Sequence, residues 1–308
     1  MRPTLRQLQY LVAIADTGRF GDAAKRLHVS QPSLSAQIAE METELGIVLM
    51  ERGRKGAILT PLGEEISSRA RLVLREVEDL KALARQSLGG LTGRLRLGVL
   101  PSVGPYLLPS ATKRLHAQHP DLRIAVREEK TVDLEEHLAA GMFDMIISTA
   151  EDHGGHASVK LFQEQLWVCA APDDVLAQSQ DAVSLFDLKG RTVLTLGPGH
   201  RFSELVSQIA RQAGAKVSET YQGTSLDATR QMAMMGAGIA ILPSLYVRLE
   251  AQRDRDIALR PIAHKLANRE ISLIWRARSP LAERFEAIAD VLGQTAADLL
   301  APADLPTL

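Results

Sequence analysis

Phe20 to Leu45, FGDAAKRLHVSQPSLSAQIAEMETEL, reads as two short helices joined by a tight turn. The first runs from Phe20 to Leu27, with Ala23, Ala24 and Leu27 on one apolar side. His28-Val29-Ser30 makes the turn. Ser30 suits the start of the second helix, because its hydroxyl can accept a hydrogen bond from a free backbone N–H. Pro32 falls in the first turn, where a missing N–H costs nothing. Leu34, Ile38, Met41 and Leu45 then share one face at helical spacing. The other face opens with Gln31, Ser33, Ser35 and Gln37, short uncharged hydrogen-bonders of the kind that read base edges in a major groove. Small residues let the two helices cross closely, and a polar N-terminal face follows the turn, which is a helix-turn-helix signature. An ordinary helical hairpin with a solvated polar face would share part of the pattern, so the flanks decide.

On the N-terminal side, Thr4 is placed to cap a helix carrying Leu5, Leu8, Leu11, Val12 and Ala15. On the C-terminal side, Gly46 ends the second helix of the hairpin. Val48 to Leu59, VLMERGRKGAIL, reads strand, turn, strand, and Arg52, Arg54 and Lys55 make its tip basic. Such a wing suits phosphates or the minor groove; the plainer alternative is an exposed basic turn. Thr60-Pro61 opens a long helix to about Leu88. Its Ile66, Ala70, Val73, Val77, Leu80 and Ala84 are spaced by four and three, a coiled-coil seam. Pairing with a second copy would bury that seam, and packing on the chain's own C-terminal part is the alternative.

The 308 residues suffice for two domains, and 45% hydrophobic with 24% charged residues is an ordinary globular balance. The net charge of −1 excludes a globally basic nucleic-acid protein, and residues 1–60 hold eight Lys/Arg against six Asp/Glu. DNA affinity would then come from a few placed contacts and from dimerisation. The single cysteine, Cys169, allows no intrachain disulfide or thiolate cluster and suits a reducing cytoplasm. Arg2, Arg6 and Asp16 interrupt the apolar N-terminal positions, so no signal peptide is expected. No apolar run reaches the roughly 20 residues that span a bilayer.

Gly89-Gly90 and Gly93 break the long helix and mark a domain boundary. Beyond them strands and helices alternate: Leu95–Val99, Ile124–Glu129, a helix over Leu134–Ala140, and strands at Met145–Ser148, Leu166–Ala170 and Thr192–Leu196. Helices at Ser203–Ala213 and Leu226–Met235, strands at Ala240–Leu242 and Ile271–Trp275, and a helix from Leu281 follow. This predicts an α/β domain with a largely parallel sheet, in two lobes if the last strand returns to the first. Ligands in such domains bind beyond the carboxyl ends of strands, against helix N-termini.

Residues 5–64, LRQLQYLVAIADTGRFGDAAKRLHVSQPSLSAQIAEMETELGIVLMERGRKGAILTPLGE, resemble the LysR-type transcriptional regulators, and the likeness extends over the full chain. The resemblance implies an N-terminal all-α winged helix-turn-helix (residues 1–60), a long linker and dimerisation helix (61–88) and a hinge (89–92). An α/β two-lobed effector domain like periplasmic binding proteins follows at 93–308, with lobes of about 93–168 plus 268–300 and about 169–267. It further implies a cytoplasmic homodimer or homotetramer that binds double-stranded promoter DNA, meets RNA polymerase, answers a small-molecule effector as activator or repressor, and is neither an enzyme nor a carrier of a cofactor or metal. It makes Gln31, Ser33, Ser35 and Gln37, with Ser30, the base readers, and puts Arg52, Arg54 and Lys55 on the backbone.

Within the family, GVLPSVGPYLLP at 98–109, EEKTVDLEEHL at 128–138, GHRFSELV at 199–206 and GTSLDATRQMAMMGAGIAILP at 223–243 look most like the OxyR-type peroxide sensors. Those carry a peroxidatic cysteine directly after the Gly-His pair and a resolving cysteine nine residues on. Here the positions hold Arg201 and Ala210, which cannot form a sulfenic acid or a disulfide. The resemblance places Ser102, Val103, Thr131, His200, Arg201 and Thr224 at the effector cleft. Hydroxyls, a helix N-terminus and a guanidinium suit an anionic effector with Arg201 as its clamp. Arg201 could instead pair with Glu204 or Asp227 and lock one conformation, giving an effector-independent regulator, or it could be merely exposed. A DNA-architectural protein with a vestigial sensor is the remote alternative. Cys169 lies in the apolar run LWVCAAP, which predicts a buried thiol with a raised pKa. His153 and His156 near Asp152 lack a third well-spaced partner for zinc, and no nucleophile–base pair is visible.

Overall fold

The computed structural model describes residues 3–53, 56–86, 91–179, 181–221, 223–251 and 257–301. Arg54, Lys55, the end of the long helix at 87–88 and Gly89-Gly90 of the expected hinge lie outside the described residues. The chain divides into two units, Met1–Gly89 with Ala139–Met142, and Gly90–Leu138 with Phe143–Leu308.

In the first unit, α1 (Leu5–Thr17) starts on a reciprocal cap: the Thr4 hydroxyl accepts from the Gln7 N–H, and the Gln7 side chain accepts from the Thr4 N–H. α2 (Phe20–Arg26) and α3 (Gln31–Leu45) follow. Ala23 is fully buried where they cross, and Leu34, Ile38 and Met41 close the core against Leu8, Leu11 and Ile14. Gly46 ends α3 at φ +69°, the left-handed conformation that favours glycine. β1 (Met50–Gly53) and β2 (Gly56–Leu59) form the antiparallel wing, with Arg52 opposite Ala57. α4 (Pro61–Gln86) packs back along α1.

That packing corrects the reading of the seam. Ala70 is buried in the unit's own core, with Ile66 and Leu74 against it, so the first turns of α4 are covered within the chain. Val73 and Leu80 stay exposed. Coiled-coil spacing here serves the intrachain core first, because α1 presents an apolar face to the same stripe.

The second unit is built on one mixed sheet. Its strands are β3 (Gly93–Val99), β4 (Leu122–Glu128), β5 (Met145–Ser148), β6 (Ala157–Ala170), β7 (Thr192–Leu194), β8 (Lys216–Val217), β9 (Ile239–Pro243), β10 (Ala258–Pro261) and β11 (Asn268–Trp275). Their order is β4-β3-β5-β11-β6-β9-β7-β8, with β10 also on β6. The outer strands are parallel, as the sequence predicts. The central ones are antiparallel, which corrects the expectation of a largely parallel sheet. The difference lies in β6. Its 14 residues run through both lobes, pairing with β11 over Ala157–Gln165 and with β9 and β10 over Leu166–Ala170.

β11 pairs with β5 as well as β6, so the chain returns to the first lobe. α5 (Gly104–Gln118), α6 (Thr131–Ala139) and α10 (Ala282–Leu300) flank this lobe, and α7 (Arg201–Ala213), α8 (Leu226–Met234) and α9 (Ser244–Leu249) flank the other. Each lobe has its own core: Leu97, Leu107, Leu134, Ile147 and Phe285 in the first, and Val168, Val193, Val206, Ile209 and Ile241 in the second. No described helix is long and apolar enough to cross a membrane.

Candidate functional site

Ser30 caps α3, its hydroxyl accepting from the Ser33 N–H at 3.3 Å. Gln31 and Ser33 are exposed, and Ser35 and Gln37 half-buried, on the side away from Leu34 and Ile38. The Gln37 amide donates to Glu40 at 2.9 Å, so this side chain is held by its own helix. Of the wing residues, Arg52 stands on β1, while Arg54 and Lys55 lie outside the described residues.

One residue absent from the sequence reading ties the wing to the helix. Glu42 on α3 accepts from the backbone N–H groups of Leu49 (2.8 Å) and Met50 (3.3 Å). It satisfies two amides where the chain leaves the helix, and so fixes the angle at which the wing departs. Gly63 on α4 completes the joint: a Cβ there would sit 1.9 Å from the Leu49 carbonyl oxygen.

In the second unit Ser102, His200 and Thr224 line a cavity of about 400 Å³ between the lobes. Pro101, Pro105, Tyr106 and Glu128 come from the first lobe, and Leu196, Ser225, Leu226, Asp227 and Glu250 from the second. Val103 is fully buried in the core and does not line this cavity, a correction to its assignment. Thr131 opens α6 and is also absent from the lining; its hydroxyl is buried without a hydrogen-bond partner among the described residues.

Arg201 is the larger departure. It lines a separate cavity of about 90 Å³ with Thr149, Phe202, Asn268 and Arg269. Its Nε donates to Asp152 Oδ1 at 2.7 Å and its Nη1 to Glu204 at 3.1 Å. Burial works against its charge, but the two carboxylates outweigh that and hold the guanidinium above its ordinary pKa. Asp152 follows β5 and Arg201 begins α7, so this pair joins the lobes. The Asp227 option is not realised: Asp227 accepts from the Tyr246 hydroxyl at 2.7 Å, with Arg230 at 3.8 Å. The guanidinium is thus engaged by two carboxylates, while the larger cavity is bordered by Glu128, Asp227 and Glu250, with Lys130 near Gly199 and His200 at its edge.

The lobes meet at a buried ion pair. Glu164 on β6 and Arg269 on β11 are register partners, 2.7 Å apart, with Glu164 fully buried. Arg269 also donates to the Ser102 hydroxyl at 3.1 Å and lies over the Phe202 ring. Glu164 accepts from the Leu245 N–H at the start of α9. A residue at the end of β3, two strands of the crossover and two helices of the second lobe therefore share one polar cluster. Nothing in spacing alone could pair residues 105 positions apart.

His153 takes a structural role. Its side chain is fully buried, with Nε2 on the Ser148 hydroxyl at 2.8 Å and Nδ1 on Glu135. This has the connectivity of a nucleophile–base–acid relay, which the sequence does not reveal. Ser148 has no exposure and lines neither cavity, so the relay ties β5 to α6. Among the described residues no group of three His, Cys, Asp or Glu could hold a metal. Cys169 is fully buried on β6, and burial pushes its thiol up to about 12.

A winged helix-turn-helix followed by a two-lobed, cleft-bearing α/β domain defines a ligand-responsive DNA-binding regulator, and family comparison agrees. Residues 5–64 match the bacterial regulatory helix-turn-helix of the lysR family, and residues 88–297 match the LysR substrate binding domain. The chain belongs to the LysR family of DNA-binding transcriptional regulators, with an effector-binding domain. It is 37% identical over 289 residues to a hydrogen peroxide-inducible genes activator of Pectobacterium carotovorum subsp. carotovorum, covering 94% of this chain and 95% of that one. A full-length OxyR variant from Pseudomonas aeruginosa superposes with a TM-score of 0.78 at 30% identity, covering 94% and 97% of the two chains. CbnR, a LysR family regulator solved with its target DNA, superposes with a TM-score of 0.66 at 26% identity, covering 94% and 99%. The relatives are transcriptional regulators rather than enzymes, and regulators of this family bind promoter DNA and oligomerise.

Proposed function

We propose that this regulator's promoter contacts are switched by a small effector in the inter-lobe cleft and not by cysteine oxidation. The observation that carries this reading is Arg201. The OxyR resemblance gives that position to a peroxidatic cysteine, and here it is a guanidinium paired with Asp152 and Glu204. The one thiol in the chain, Cys169, is fully buried with its pKa raised by that burial, so it supplies no thiolate to attack peroxide. Gln31, Ser33, Ser35 and Gln37 read bases from the N-terminal end of α3, with Ser30 at the cap. Arg52, Arg54 and Lys55 serve the phosphates. Ser102, His200 and Thr224 meet the effector, and the homodimer or homotetramer passes the change in lobe arrangement to DNA and to RNA polymerase.

A nuclease footprint of the purified protein on its own upstream DNA, in reductant and after a peroxide pulse, tests this. An unchanged footprint is expected. One that shortens or shifts with peroxide rejects the reading.

The Arg201–Asp152 pair favours a second reading, an effector-independent regulator locked in one lobe arrangement. Under it an Arg201→Ala protein acquires a footprint that differs from the parent's without any added ligand.

A further inference from the structure

The parts of the DNA-binding unit meet at the end of α1. Asp16 stands in the last turn of that helix. Its Oδ2 accepts from Arg26 Nη1 of α2 at 2.9 Å, and its Oδ1 lies 2.6 Å from Arg71 Nη2 of α4. Thr17 steadies the helix end, its hydroxyl donating to the Ala13 carbonyl at 2.9 Å. Gly18 then turns the chain at φ +66°, and its carbonyl accepts from the Ala57 N–H of the wing strand β2 at 3.0 Å. Residues 16–18 thus touch the first helix of the hairpin, the wing and the long helix.

The Asp16 carboxylate is badly placed for α1 itself. The C-terminal end of a helix carries partial negative charge, and α1 has no basic residue in its last turn. The arginines that offset it come from two other elements. Ion pairs open to water contribute little stability, and the core of the unit rests on Leu11, Ile14, Leu34 and Ile38. Ile66, Ala70 and Leu74 hold α4 on that core, but apolar attraction is non-directional. The charge-assisted contact to Arg71, whose side chain is 17% exposed, has a preferred direction. Arg26 closes α2 directly before the turn into α3, so the same carboxylate grips both the hairpin and α4. In a dimer paired along α4, the angle between α4 and the hairpin sets how far apart the two copies of α3 stand, and so the half-site spacing they accept. We propose that Asp16 is a positioning residue for operator recognition: by holding Arg26 and Arg71 together it fixes α3 relative to α4 and selects the half-site spacing. This rests on the reading that α3 meets DNA and that the chain pairs through α4.

The test uses the full-length protein and the operator that footprinting finds in its own upstream DNA. Fluorescence anisotropy at fixed salt compares that operator, a set with the half-sites moved apart or together by single base pairs, and an isolated half-site. The parent should bind one spacing most tightly. An Asp16→Asn protein should bind the isolated half-site as the parent does and melt at nearly the same temperature, yet lose the preference among spacings. Arg71→Gln should reproduce that loss, and Asp16→Glu should restore the preference. A preference that survives in Asp16→Asn overturns the positioning role. So does a loss of half-site affinity and melting temperature in step with it, which marks a merely structural ion pair, and so does a parent indifferent to spacing. The DNA-binding reading fails separately, and takes the positioning role with it, if the parent leaves no footprint at all.

Discussion

Residue 201 is an arginine, paired with Asp152 and Glu204, where the OxyR resemblance places a peroxidatic cysteine. Replacing Arg201 by Cys restores one sulfur. Residue 210 remains an alanine, 1% exposed within α7, so no partner thiol faces the new one. Peroxide treatment of Arg201→Cys is expected to give at most a sulfenic or overoxidised thiol and no intrachain disulfide, checked by intact-mass spectrometry with and without reductant. The His200 imidazole makes a pH prediction. Burial lowers its folded-state pKa below the ordinary value of about 6.5, so the unfolded chain binds more protons as pH falls through that range. Its contribution therefore lowers stability from about pH 6.5 down through the depressed pKa. A His200→Gln protein should lose less melting temperature than the parent between pH 7 and pH 5.

At the scale of elements, the joint between α3 and the wing is the most exacting. Gly63→Ala drives a Cβ into the Leu49 carbonyl, which forces α4 or the wing entry to move. It should cost about 1–3 kcal/mol in urea unfolding, the range for overpacking, and weaken operator binding with it. Alanine at Gln31 or Ser33 should leave stability alone. It should cost about 1–3 kcal/mol in operator affinity and relax preference at one base position, as read by competition binding at fixed salt. The crossover strands hold the opposite kind of device. Glu164→Gln leaves Arg269 buried with a neutral partner, and loss of one member of such a pair costs about 3–5 kcal/mol. Denaturant unfolding should show that loss, with a weaker coupling between ligand binding and footprint.

For the whole molecule, the mixed sheet joins the two lobes of the second unit on one scaffold. β6 belongs to both: it pairs with β11 up to Gln165 and with β9 and β10 beyond it, and β11 returns beside it. The exposed Val73 and Leu80 on α4 fit a helix that pairs with a second copy after its first turns are spent on the chain's own core. A Leu80→Glu protein is expected to shift to lower mass in sedimentation equilibrium and to lose operator affinity, since each half-site contact then stands alone.

The sequence by itself determined the elements whose signals are local. Cap, proline and four-residue spacing write α3 into Ser30 to Leu45, and Gly46 ends it, because these effects act within one or two helical turns. It also determined that Arg201 and Ala210 carry no redox sulfur. α5 was harder to read: Pro105 and Pro109 interrupt its pattern, although Pro105 sits harmlessly in the first turn. The first half of β6 was hidden too, because its polar residues alternate on an exposed face. Only the tertiary structure decided what surrounds each functional group. It turned Arg201 toward Asp152, paired Glu164 with Arg269 and gathered Glu128, Asp227 and Glu250 around one cavity. Such partners are brought together by strand order and lobe packing across scores of residues, and the electrostatics of a cleft is the sum of charges that no local spacing records.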